Sequence, residues 1–187
     1  MKKDLVAVIL AGGAGSRFWP LTTNKIVFPF FGKSLFDFSV RDVLPKEVSR
    51  AVVIAGSDNR KALQEIQLSV PTVTVLQQKP LGMADALLSA ASEIGGCELL
   101  ILIADDLSDR GLLQRVVSRG RSRGAFGVIP GWKTETYFPG GYLKTENDRI
   151  TGIMEKPGEG KTPSPYVAIS GHYMRNSDVL LEELKRT

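Results

Sequence analysis

The sequence predicts an α/β protein, a three-layer α/β/α sandwich around a mostly parallel sheet with a small β-hairpin insertion, and two observations carry that prediction. Short runs of Val, Ile and Leu recur at strand length without polar alternation, at 4–10 (DLVAVIL), 50–55 (RAVVIA), 72–76 (TVTVL), 98–103 (ELLILI) and 125–129 (AFGVI), as strands buried on both faces do. Helical patterns lie between them, and such alternation closes into a parallel sheet through right-handed crossovers.

Taken in order, the opening MKKDLVAVILAGG has the apolar run of a secretory leader. Asp4 interrupts its basic start and no mature domain restarts behind a cleavage site, so it is read as the first buried strand. Helices are expected at 34–43, at 58–69 behind a Ser57-Asp58 cap, at 82–94, and at 108–120 behind Ser108-Asp109. After residue 140 the rhythm changes. GGYLKTENDRITGIMEKP (140–157) reads as a hairpin turning at Glu146-Asn147-Asp148, and 157–165 as a loop rich in Pro, Gly, Ser and Lys. A strand at 166–174 then leads to a helix capped by Ser177 that runs to the terminus. No internal repeat or low-complexity tract interrupts the chain, which is one expected domain over 1–187.

Composition narrows the chemistry. The 187 residues, 43% hydrophobic and 24% charged, suffice for one domain with a core. Against 20 Asp+Glu stand 24 Lys+Arg, a net charge of +4, which suits small phosphates. Cys97 and His172 are each the single residue of their kind, which excludes a disulfide framework, a Cys-rich zinc site and a Ser-His-Asp triad. Any chemistry falls to carboxylates, Lys, Arg and backbone. No stretch reaches the roughly 18 apolar residues of a membrane span, so a soluble, cytoplasmic protein without a membrane partner is expected. Arg110, Arg115, Arg119, Arg121 and Arg123 read as a solvated helix face and loop; with no aromatics between them, no nucleic-acid partner is expected. His172 reads as a packed strand residue.

The stretch LAGGAGSRFWPLT (10–22) follows the first strand directly, at the carboxyl edge of the expected sheet, where α/β folds bind ligands. Glycines there let backbone N–H groups approach a phosphate or a base edge, and Arg17 adds a permanent, bidentate charge. The dinucleotide fingerprint G-x-G-x-x-G fails here: Phe18 stands at the third glycine position and Pro20 just behind it. The second strand, AVVIAGSD, also ends in a Gly-Ser turn instead of the acidic residue that holds a ribose in dehydrogenases.

The stretch resembles the first loop of the sugar-nucleotide pyrophosphorylases, the sugar-1-phosphate nucleotidyltransferases, which reads LAGGxGTRLxPLT; Ser16 stands for Thr and Phe18 for Leu. KIVFPFFGK (25–33) is similar to that family's K-x-x-x-P-x-x-G-K element through Lys25, Pro29, Gly32 and Lys33. QQKPLGMADAL (77–87) resembles the base-reading segment, which picks Gln77 and Gly82. LILIADDL (100–107) resembles the strand whose Asp binds magnesium, picking Asp105, although its neighbour Asp106 offers a second carboxylate. The 140–157 segment resembles the sugar-site hairpin with its Glu-Lys-Pro ending, and AISGHY (168–173) the strand after it. Six matches fall in family order.

The resemblance implies a Rossmann-like fold of the nucleotide-diphospho-sugar transferase type, with a nucleotide-binding half at 1–130 and a truncated sugar-phosphate half at 131–187. It implies attack of a sugar 1-phosphate on the α-phosphorus of a nucleoside triphosphate, with Mg²⁺ as cofactor. Arg17 and Lys25 would be catalytic, neutralising the triphosphate. Leu10, Ala11, Gly12, Gly13, Gln77 and Gly82 would bind the nucleotide, Gly141, Glu155 and Lys156 the sugar phosphate, and Asp105 the metal. The irregular stretch 130–139 around Trp132 would close over the sugar. The plainer alternatives are surface roles for Lys25 and Lys33, a helix cap for the Asp pair and a surface ion pair for Glu155 and Lys156.

Departures from the family pattern are specific. Lys25 follows Thr22 by three residues where five are usual, which shortens the loop that aims it. Ala104 replaces a Gly and is expected to narrow the approach of the ribose. The family's second metal-binding Asp has no counterpart, Asp178 reading as a cap, so a catalytically inactive nucleotide or sugar-phosphate binder stands as the alternative to an enzyme. Trp19-Pro20 resembles mannose 1-phosphate guanylyltransferases and GKSLFDFSV the ADP-glucose enzymes, so nucleotide and sugar stay open. The truncated sheet leads to an expected homo-oligomer.

Overall fold

A computed structural model of the chain describes residues 3–13, 24–79, 81–109 and 111–186. In chain order its strands are β1 (Leu5–Ala11), β2 (Pro29–Phe30), β3 (Lys33–Ser34), β4 (Val48–Ala55), β5 (Thr72–Leu76), β6 (Glu98–Ile103), β7 (Gly127–Val128), β8 (Gly131–Lys133), β9 (Gly141–Glu146), β10 (Arg149–Glu155), β11 (Tyr166–Ala168) and β12 (His172–Met174). The helices are α1 (Arg60–Gln64), α2 (Met83–Ser89), α3 (Ala91–Ile94), α4 (Leu112–Arg123) and α5 (Ser177–Leu184), and a π-helical turn spans Asp37–Arg41.

The central sheet runs β5-β4-β1-β6-β12-β7. Its first four strands are parallel, and β12 is antiparallel to both β6 and β7. Both faces are covered, which is why β1 shows no polar alternation. Leu5, Ala7 and Ile9 join one core with Leu63 of α1 and Leu113, Val116 and Val117 of α4. Val6 and Val8 join the other with Leu87 of α2, Ile94 of α3 and Leu181 of α5. Each of these Val, Leu and Ile side chains contributes about 1.5–3 kcal/mol by leaving water. The three expected layers are present, and among the described residues no helix is long and apolar enough to cross a membrane.

Several local expectations are corrected. The expected hairpin is part of a four-stranded sheet, β10-β9-β11-β8, so Trp132 lies on β8 opposite Val167 and not in an irregular stretch. The hairpin turn itself is as expected, with Asn147 and Asp148 at φ +47° and +62° as a type I′ turn requires. The single strand expected at 166–174 is two strands in different sheets, parted at Gly171, whose φ of +100° only glycine takes readily. The helix expected at 58–69 shrinks to α1, that at 82–94 breaks at Ala90 into α2 and α3, and that at 108–120 starts later behind Gly111 and runs to Arg123. Asn176, not Ser177, caps α5, accepting from Asp178 N at 3.1 Å; Ser177 instead accepts from Cys97 N at 2.9 Å. Asp178 accepts from Gly96 N at 2.8 Å, tying α5 to the turn before β6.

Two features of this sheet are testable. A Cβ on Gly120 of α4 would lie 2.3 Å from Cδ1 of the wholly buried Tyr173 ring. Gly120→Ala is therefore expected to destabilise the fold by about 1–3 kcal/mol through overpacking, outweighing the better helix propensity of Ala; urea denaturation reads this, and a stabilised variant would contradict it. Burial holds His172 below the ordinary 6.5, opposed by a hydrogen bond from its ring to the backbone of Ile169. The folded chain then binds fewer protons than the unfolded one, so stability present above 6.5 is lost as pH falls from there through the lower folded value. Between about pH 7.5 and 5.5, the melting temperature of His172→Gln should fall less than that of the unmutated chain; parallel slopes would contradict this.

Candidate functional site

The carboxyl ends of β1, β5 and β6 surround a cavity of about 260 Å³, at the edge where parallel sheets offer ligands their exposed backbone. Eight of the residues picked from sequence line it: Leu10, Ala11, Gly12, Gly13, Lys25, Gln77, Gly82 and Asp105. The end of β1 is fixed by Asn59, a buried residue the sequence reading passed over in favour of the Ser57-Asp58 cap. Its Nδ2 donates to Ala11 O at 2.7 Å while its Oδ1 accepts from Gly56 N at 2.9 Å, clamping the last carbonyl of β1 to the turn after β4. The signal was an amide one residue beyond the expected cap.

Gln77 N donates to Ala55 O at 2.8 Å, which extends the β4–β5 edge to the cavity. The Gln77 side chain, 7% exposed, donates through Nε2 to Gly82 O at 3.1 Å and to Asp85 Oδ2 at 2.7 Å. Gly82, at φ +104°, opens α2 in a conformation costly to any side chain. A Cβ on Gly12 would meet Gln77 Oε1 at 2.9 Å, so the bare glycine is what admits the amide there.

On the opposite wall Lys25 Nζ is ion-paired with Asp105, and both side chains are about a quarter exposed. The shortened loop does not keep Lys25 from the cavity. Asn24, also missed in the sequence, makes the turn that aims it: Oδ1 accepts from Ile26 N at 3.1 Å and Nδ2 donates to Asp58 at 3.1 Å. The carboxyl of Asp106 is raised above the usual carboxylate range by burial and by the charge of Asp105, against hydrogen bonding from Ser170 and the nearby Lys25. Ala104 does not narrow the cavity as expected, because it is wholly buried in the core, its carbonyl accepting from Ser39 Oγ at 2.5 Å. Arg17, the other expected catalytic residue, lies outside the described residues, as do Phe18, Trp19, Pro20 and Arg110.

The expected sugar-phosphate residues sit together but do not line this cavity. Gly141 and Glu155 are cross-strand partners on β9 and β10, and a Cβ on Gly141 would meet Glu155 Oε2 at 3.2 Å. Lys156 follows with φ +42°, a strained backbone for a residue with a side chain, and its N donates to Gly140 O at 3.0 Å. Its Nζ stands 3.8 Å from Glu155 Oε1, and both side chains project into solvent. Arg121 is not the solvated residue expected, since it binds Glu98 on β6, whereas Arg115 pairs with Asp109 on the exposed face as a surface arginine would.

For Mg²⁺ the donor set is hard carboxylate oxygen: Asp105 on the cavity wall with Asp106 beside it. That is the one- or two-carboxylate arrangement the ion accepts when phosphate oxygens and water complete its shell. Among the described residues no group of three or more His, Cys, Asp or Glu side chains could hold a metal without a substrate.

A family model described as nucleotidyl transferase matches residues 6–187. The chain is 28% identical to the alginate biosynthesis protein AlgA of Pseudomonas putida over 97% of its length and 43% of that protein's. It is 30% identical to the xanthan biosynthesis protein XanB of Xanthomonas campestris, over 98% and 43%, and 28% identical to a glucose-1-phosphate adenylyltransferase of Corynebacterium diphtheriae, over 98% and 49%. The chain thus spans less than half the length of these curated relatives. Among solved structures, a UDP-glucose pyrophosphorylase complexed with UDP-glucose superposes with a TM-score of 0.83 at 20% identity, over 100% of this chain and 80% of that one, which shows a shared fold.

Proposed function

The chain belongs to the nucleotidyl transferase family, and on that premise we propose that it transfers a nucleotidyl group from a nucleoside triphosphate to a sugar 1-phosphate with the help of Mg²⁺. The observation that carries the reading is the single cavity that gathers a glycine edge, a buried amide, a lysine and a carboxylate at the carboxyl end of a parallel sheet. An oxygen of the sugar phosphate attacks the α-phosphorus, the bond from that phosphorus to the bridging oxygen breaks, and pyrophosphate leaves with the electron pair.

Two anions must meet in this reaction, so the chain's task is alignment and neutralisation. Lys25 and Arg17 neutralise the triphosphate and the departing pyrophosphate. Gly12, Gly13 and Gly82 bring backbone to the nucleotide, and Gln77 meets its base. Glu155 accepts from sugar hydroxyls, Gly141 lets the sugar approach the strand, and Lys156 pairs with the sugar phosphate. Mg²⁺, held by Asp105 with Asp106 adjacent, would supply further positive charge at the reacting phosphates.

The deciding experiment is pyrophosphate release by the chain with Mg²⁺, crossing the common nucleoside triphosphates with glucose, mannose and N-acetylglucosamine 1-phosphates, with Arg17→Ala as control. Release with one pair, abolished in the control, is expected. The shortage of protein carboxylates for a metal favours the second reading, a binder without turnover, and nucleotide binding with no release under any pair would select it.

A further inference from the structure

We propose that Ser170 and Ser39 are positioning residues for Asp105: their hydroxyls hold the two peptide groups that precede it and so fix the direction in which its carboxylate enters the cavity. What that direction serves rests on the reading of Asp105 as the metal carboxylate. Asp105 stands in a turn that closes directly after β6, where Asp106 N donates to Ile103 O at 3.1 Å. On one side β1 supports this turn, since Ala104 N donates to Leu10 O at 3.1 Å. On the other side the backbone support ends early. β12 leaves β6 at Gly171, where the left-handed φ of +100° turns the chain away, and Ile169 N already donates to Pro130 O at 3.1 Å beside β8. Among the described residues no strand is left to accept from Ile103 N, and the Ser170 hydroxyl does so at 2.8 Å. Ser39, on the π-helical turn, donates to Ala104 O at 2.5 Å, with Leu35 O at 2.9 Å sharing the same hydrogen.

Both serines are buried, so water does not take over from a missing hydroxyl, and the peptide group it held is left unpaired and free to rock. Asp105 is the carboxylate that lines the cavity. Mg²⁺ takes its ligands only near octahedral positions and tolerates little swing in such a group. Groups that orient a metal ligand from behind change metal affinity by about 10–100-fold when removed. Ser177 supplies the contrast. At the opposite end of β6 its wholly buried hydroxyl accepts from Cys97 N at 2.9 Å, the same kind of bond made away from the cavity. Its loss weakens the fold without reaching Asp105.

Ser170→Ala, Ser39→Ala, Ser170→Thr and, as control, Ser177→Ala are compared with the unmutated chain, each first checked for a cooperative melt. The order parameter of the Asp105 amide, from nitrogen relaxation without metal, should fall from about 0.85 to about 0.6 or below in Ser170→Ala and Ser39→Ala and stay high in the other two. Calorimetry with tripolyphosphate, first in EDTA and then with Mn²⁺, gives the gain in affinity that the metal brings. That gain should drop about tenfold in Ser170→Ala and Ser39→Ala, with binding in EDTA held within about threefold. It should persist in Ser170→Thr, which keeps the hydroxyl, and in Ser177→Ala. If Ser170→Ala does not melt cooperatively, Ser39→Ala, acting on the neighbouring peptide group, decides alone. An Asp105 amide as rigid in the folded Ser39 and Ser170 alanine variants as in the unmutated chain overturns the inference, as does an equal loss in Ser177→Ala or a metal gain that every variant keeps. If Mn²⁺ adds nothing even to the unmutated chain, the metal reading of Asp105 falls, and the order parameters by themselves uphold or overturn the positioning.

Discussion

Asp105→Asn is expected to raise the affinity of the chain for a nucleoside triphosphate in the presence of a chelator while lowering Mg²⁺-dependent pyrophosphate release by about 10²–10³-fold. The opposed signs follow from the ion pair across the cavity. In the free chain Lys25 is bound to Asp105, so a triphosphate must compete with an internal carboxylate for that cation and meets a like charge beside it. Removing the charge releases Lys25 and the repulsion together, worth about tenfold in metal-free affinity at the effective dielectric of a partly exposed site. The same substitution removes the negative charge of the carboxylate that would hold the metal, and release falls. Lys25→Met separates the two effects, because metal-free binding and release should then both fall. Calorimetry with EDTA and a pyrophosphate assay with Mg²⁺ read the pair. Weaker metal-free binding by Asp105→Asn would show that the carboxylate does not restrain the lysine.

What could be read from the chain and what could not divide by the sequence distance of the partners. β5 and β6 fall where their apolar runs place them, because burial on both faces leaves a local signature of continuous Val, Ile and Leu. Gln77, Lys25 and Asp105 were picked with their loops, and the topology brings them to one cavity. Asn59 was not, since its two bonds reach Ala11 and Gly56, and only the second is near in sequence. The break at 169–171 was missed because the run on either side is uniformly strand-like, and only the left-handed Gly171 marks where the chain passes from one sheet to the other. Arg121 stood in a row of arginines with nothing local to set it apart. Its difference from Arg115 is Glu98, 23 positions away on β6.

That Glu98 carries the largest expected effect on stability. At the start of β6 it is 8% exposed, and it accepts from Tyr173 OH on β12 at 2.8 Å through Oε1, and from Arg121 Nε of α4 at 2.8 Å and Nη2 at 2.5 Å through Oε2. β6, the helix α4 that follows it and the distant strand β12 meet on one carboxylate. Glu98→Ala is therefore expected to cost about 3–5 kcal/mol, because it leaves a largely buried guanidinium and a buried hydroxyl without their acceptor and opens a gap beneath them. Burial, then the hydrogen bond and charge of Glu98, push the Tyr173 hydroxyl up to about 12, so it stays a donor across the working range and pH offers no relief. Tyr173→Phe should cost only about 1 kcal/mol, since Arg121 still satisfies the carboxylate. In the Glu98→Ala, Tyr173→Phe double variant the losses should sum to less than their parts, as groups sharing one network do. Guanidinium denaturation of the four proteins closes that cycle. Strict additivity, or a loss below about 1 kcal/mol for Glu98→Ala, would mean that the apolar packing of Tyr173 against Gly120, and not the polar cluster, joins α4 to the sheet.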